Sequence, residues 1–102
     1  MNDEDAIDIN KTLAERQQNY GSYKEGTKFR ADMMTLIKDR FEAANGYKMD
    51  EETAAYMFDI VIKLSRICVT VDHYDSWHDM AGYSTLIRDH YCKKENKDAQ
   101  GS

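Results

Sequence analysis

The chain has 102 residues, 41% hydrophobic and 32% charged, with 19 acidic against 14 basic side chains, a formal net charge of -5 and no proline. That length makes one domain, near the size at which a second chain helps to complete a core, so a homo-oligomer is expected. The acidic balance argues against nucleic acid held by phosphate contacts, no apolar run approaches the roughly 18 residues of a membrane span, and no signal sequence opens the chain, so a cytoplasmic protein without a membrane partner is expected.

With nothing to break long helices, the class is all-α, a four-helix bundle-like single domain over residues 1–92. Met1 to Asp5 is acidic and read as frayed, although Asp3, Glu4 and Asp5 would suit the positive end of a helix. Ala6, Ile9 or Asn10, Leu13 and Ala14 predict a short amphipathic helix to about Asn19, which has little to bury and depends on docking. Gly21 ends it. Ser22 and Glu25 then read as a capping box for a second helix, whose Phe29, Met33, Ile37 and Phe41, four apart, form one core face until Asn45-Gly46 stops it.

Asp50 is the predicted N-cap of the third helix, with Glu51 and Glu52 in its first turn. This helix is apolar around most of its circumference and should be the buried one. A hinge over Thr70 to Tyr74 leads to the fourth, capped by Asp75 or Ser76, with Trp77, Met80 or Ala81, Ser84, Ile87 and Tyr91 at helical spacing. Beyond Tyr91, Lys93 to Asp98 has no apolar member, and 93–102 is read as a disordered tail.

Asp59, Lys63 and Arg66 interrupt the third helix at helical spacing, and charges among apolar residues are costly unless paired. Asp75 and Asp79, four apart, share a face of the fourth helix. If the two helices are antiparallel neighbours across the short hinge, the two acids face the basic stripe. In a functional reading the carboxylates hold Mg²⁺ and Lys63 or Arg66 grips a phosphate. In a structural one, Asp59 bonds Lys63 within the helix and Asp75 or Asp79 neutralises Arg66. The residues alone leave both open.

Other signals are weaker. His73, His78 and His90 match no zinc spacing, and Cys68 and Cys92, with no CxxC, read as reduced thiols. Tyr20, Tyr23, Tyr56, Tyr74 and Tyr83 fall near helix ends or the polar stripe, where one could stack on a flat base, although core tyrosines are the common case. Gly82 inside a helix suggests the close approach of another helix or a ligand.

Arg16, the run Tyr20-Gly21-Ser22, the pair Lys63 and Arg66, and Asp75-Ser76-Trp77-His78-Asp79-Met80-Ala81-Gly82-Tyr83 together form a pattern over about Leu13 to Arg88. It resembles a family of small helical proteins carried mainly by phages and prophages, itself distantly similar to the MazG-type all-α nucleoside triphosphate pyrophosphohydrolases. The resemblance implies a MazG-like bundle that assembles as dimers or tetramers, with a nucleotide site between helices. By position it implies Asp59, Asp75 and Asp79 as catalytic metal ligands for Mg²⁺, with Lys63 and Arg66, and also Arg16, Tyr20 and Tyr83, on the ligand. The chain departs from MazG enzymes where they carry Glu-x-x-Glu: Asp59 is followed by Ile62 three residues on and Lys63 four on. Two functions are therefore expected: a phage protein that binds and hydrolyses a nucleoside triphosphate, or a non-catalytic counter-defence protein that sequesters a nucleotide-derived signal or masks a host protein.

Overall fold

The computed structural model describes the backbone of residues 3–101 and the side chains of residues 9–17 and 21–92. Four helices follow one another, α1 (Asp3–Tyr20), α2 (Tyr23–Asn45), α3 (Glu51–Val69) and α4 (Tyr74–Gly101), and the described residues contain no strand. None of these helices is long and apolar enough to cross a membrane.

The joints follow from local chemistry. Gly21, at φ 77°, bonds its N–H back to the Gln17 carbonyl at 2.9 Å, and a Cβ there would lie 3.2 Å from a Val69 methyl at the end of α3. Glycine is needed at this corner for backbone and contact alike. The Ser22 hydroxyl accepts from the Glu25 N–H at 3.4 Å to start α2, and Gly46, at φ 78°, ends it with an N–H to the Glu42 carbonyl at 2.8 Å. Asp50 caps α3, accepting from the Thr53 N–H at 2.7 Å. That bond holds the Asp50 carboxyl below its ordinary value.

The hinge differs from its sequence reading. α4 opens at Tyr74, so Asp75 lies in its first turn and neither Asp75 nor Ser76 precedes it as a cap. His73 bonds the Thr70 carbonyl through its N–H at 3.1 Å and pairs its Nδ1 with Ser76 Oγ at 2.7 Å, which holds Ser76 inside, fully buried. Trp77 adds a bond from Nε1 to the Val71 carbonyl at 2.6 Å.

α3 is the centre, packed broadly on α4 and α2 and more thinly on α1. Val61, Lys63, Ser65 and Ile67 are all buried. Residues two apart project to nearly opposite sides of a helix, so α3 is covered on two opposite sides over this stretch, while Ile62, Leu64 and Arg66 between them are half-buried. The α2 stripe faces it, with Phe29, Met33, Ile37 and Phe41 half-buried. The α4 assignment continues past Tyr91 to Gly101, but the tail read over 93–102 falls on side chains outside the described residues, as does the fraying read for Met1 to Asp5.

Candidate functional site

Phe58, Ile62, Ser65 and Arg66 lie at three- and four-residue spacing and so share one stripe of α3. α2 borders that stripe on one side and α1 on the other. Because α1 packs thinly, an open groove of about 990 Å³ remains between the three helices. Its walls are apolar where Ile9 and Leu13 of α1 face Phe58 and Ile62 of α3. Its polar members among the described residues are Thr12, Arg16, Gln17, Ser22, Tyr23, Arg30, Ser65 and Arg66, and none of the described lining residues is a carboxylate. In a chain of net charge -5, three arginines and no acid among the described lining residues is a pronounced segregation of charge. A mostly apolar concavity of this size with a few convergent polar groups has the form of a small-molecule site.

Arg30 is the most organised of the three. Its Nη2 donates to Thr27 Oγ1 at 3.0 Å, Thr27 donates in turn to the Tyr23 carbonyl at 2.8 Å, and the guanidinium carbon lies 5.6 Å from the centre of the Tyr23 ring. Nη1 occupies the space beside Gly26, where a Cβ would come within 3.2 Å of it and 3.5 Å of Ser65 Oγ. Neither Arg16 nor Arg30 is in an ion pair among the described residues.

The basic stripe read from the sequence divides between two faces of α3. Lys63, 7% exposed, turns to α4 and meets Asp79, Nζ to Oδ2 2.8 Å. The Lys63 hydrogen bond holds the Asp79 carboxyl below its ordinary value; desolvation opposes it, and the charges of Lys63, His78 and Arg66 add to the lowering. Lys63 therefore does not line the groove, whereas Arg66 and Arg16 do. Tyr83 is half-buried on α4, away from the groove lining, and the Tyr20 side chain lies outside the described residues.

The acids do not gather. Asp79 meets the lysine as the antiparallel packing predicts, but Asp59 and Asp75 are exposed, and Lys63 takes Asp79 in place of the in-helix Asp59 partner. Among the described residues no group of three His, Cys, Asp or Glu side chains is placed to hold a metal ion. Asp59, Asp75 and Asp79 thus do not fit a shared Mg²⁺ as they stand, and no chemistry is routed through one. The histidines are occupied elsewhere: His78 stacks on Tyr74 with centroids 5.7 Å apart, and His90 lies between Tyr56 and Tyr91 at 5.4 and 4.6 Å.

The sequence reading passed over Arg30, Gly26 and Ser65. The signal was present: Gly26 is a glycine inside a helix four residues before an arginine, the same feature that drew attention at Gly82. At Gly82 itself nothing lies within 4 Å of where a Cβ would stand.

Compared by sequence, residues 8–91 match the domain of unknown function DUF6378. The chain belongs to the DUF6378 family. Comparisons with curated proteins and with solved structures give no match. The DUF6378 segment contains every described residue that lines the groove, from Ile9 to Arg66, together with the Lys63–Asp79 pair. The groove is therefore built from the family's own domain.

Proposed function

We propose that this chain is a MazG-like nucleotide-binding protein of phage or prophage origin that holds its ligand in the groove between α1, α2 and α3. The observation that carries this reading is the convergence of Arg16, Arg30 and Arg66 on one apolar wall, with no acid among the described residues of the lining. Guanidinium groups in a partly desolvated cleft suit phosphate, and Leu13, Phe58 and Ile62 suit the flat face of a base. The exposed Tyr23 ring at the rim offers a further stacking surface. Holding the ligand fits the acids better than cleaving it with Mg²⁺, because among the described residues no group of three acids or histidines is placed to hold a metal ion. In the cytoplasm of an infected cell such a protein removes a nucleotide-derived signal from a host defence.

Thermal unfolding with a panel of nucleotides, with and without Mg²⁺, tests this. A nucleotide at 100 times its Kd stabilises the chain by about 2.7 kcal/mol. Stabilisation without Mg²⁺, with the ligand recovered unaltered, is the expected result. Release of pyrophosphate from a nucleoside triphosphate, abolished by Asp79→Asn, overturns sequestration in favour of hydrolysis. No stabilisation by any nucleotide overturns the reading and leaves a host protein as the partner to seek.

The same reading includes a second copy of the chain. Of the described apolar side chains only Val61 and Ile67 are buried, whereas Ile9 is 46% and Leu13 59% exposed. The accessible surface is 8131 Å², against about 5,900 Å² for a compact monomer of this mass. The excess is of the order that one subunit covers in an obligate dimer.

A further inference from the structure

Within the nucleotide reading above, on which this step rests, we propose that Arg30 and Ser65, brought together by the missing side chain of Gly26, form a subsite for a terminal phosphate, so that the ligand ends in a phosphomonoester. Three features of the geometry carry it. The Arg30 fork is fixed from one side by Thr27 and lies against the Tyr23 ring, which leaves Nη1 directed at the gap between α2 and α3. Ser65, 8% exposed, presents its hydroxyl to the same gap. An alanine at position 26 would set its Cβ 3.2 Å from Arg30 Nη1, so that the guanidinium must shift by a few tenths of an ångström, and 3.5 Å from Ser65 Oγ, an ordinary contact.

A helix interior ordinarily disfavours glycine, so its presence in α2 needs a reason. Room for a guanidinium beside a hydroxyl supplies one. A terminal phosphate has three unesterified oxygens and a charge of roughly -1.5 to -2, and takes a forked donor and a hydroxyl together. A phosphodiester offers fewer free oxygens and one charge. Arg16 and Arg66, on the other walls of the groove, then face the inner phosphate of a nucleoside diphosphate.

Isothermal titration of the full chain in Mg²⁺-free buffer, with adenosine and guanosine 5′-diphosphates, their 3′,5′-cyclic monophosphates and inorganic pyrophosphate, tests the subsite. A diphosphate and pyrophosphate bind, the cyclic nucleotides bind at least tenfold more weakly, and Arg30→Lys, which keeps the charge and loses the fork, costs at least tenfold in affinity for the diphosphate. Gly26→Ala weakens the diphosphate severalfold while melting at the same or a higher temperature, a combination that a purely structural role for the glycine does not give. Pyrophosphate binding that depends on Arg30, without binding of any nucleotide, supports the subsite and overturns the nucleotide reading. Nucleotide binding indifferent to Arg30→Lys and Gly26→Ala, or equal affinity for cyclic and terminal phosphates, overturns the subsite and leaves the nucleotide reading in place. No binding of any probe overturns both.

Discussion

At the scale of the residue, the Lys63–Asp79 pair is asymmetric. The lysine side chain is almost wholly enclosed and the carboxylate is 41% exposed. Removing the acid strands a buried cation, whereas removing the cation lets the acid turn to water. Asp79→Ala is therefore expected to lower the melting temperature by more than Lys63→Met, and equal effects would show that Lys63 finds another partner. The pH dependence has a definite sign. Because the folded carboxyl lies below its ordinary 3.8, the pair's contribution is fully present above that value and is lost as pH falls through the folded value. Melting curves at stepped pH should hold level near neutrality and fall below about pH 4, with a shallower fall in Asp79→Asn. The sequence marked Lys63 as a charge that had to be paired and offered Asp59 within the helix, leaving Asp75 or Asp79 for Arg66; the structure gives Lys63 the Asp79 carboxylate, on which the Arg66 charge also acts. The sequence did not show that of Lys63 and Arg66, about 60° apart around the helix, only Arg66 borders the groove, because that depends on where α1 comes to rest.

At the scale of the element, the caps of α2 and α3 were legible, whereas the start of α4 and the groove were not. Ser22, Gly46 and Asp50 act within a few residues of themselves, so their roles can be read from a short window of sequence. The groove depends on three helices that are distant in sequence, one of which, α1, contributes few contacts and is positioned by them alone. Two helical glycines make the contrast plain. Gly26 opens a space that Arg30 and Ser65 use, while Gly82 faces open space within the chain. In an isolated chain Gly82→Ala should therefore stabilise α4 by about 1 kcal/mol, or several degrees in melting temperature. A loss of stability or of self-association instead would show that the second copy packs closely over this position.

At the scale of the whole molecule, the chain is too open for its length. The radius of gyration is 18.0 Å, against about 13 Å for a compact chain of this size. Leu36, Tyr47, Tyr74, Trp77 and Leu86 are exposed and lie outside the groove, the surface on which the proposed second copy would be seated. Light scattering on the purified chain is expected to give at least twice the monomer mass at micromolar concentration; a monodisperse monomer with a cooperative melt would remove the second copy. All-helical class, the order of four helices and the central place of α3 were open to inspection in the sequence, because periodicity and capping report them directly. The degree of compaction was not, because an apolar stripe looks alike whether it meets its own chain or another.

On the proposed nucleotide reading, the separation of charge among the described residues acts as a sieve. An acidic exterior repels long polyanions at a distance, since a strand of nucleic acid must approach along a broad front. A small anion needs only to pass the rim, after which the inward guanidinium groups attract it through a medium that screens them less than bulk water does. Selection by size and reach thus comes before any contact with the ligand's own chemical groups.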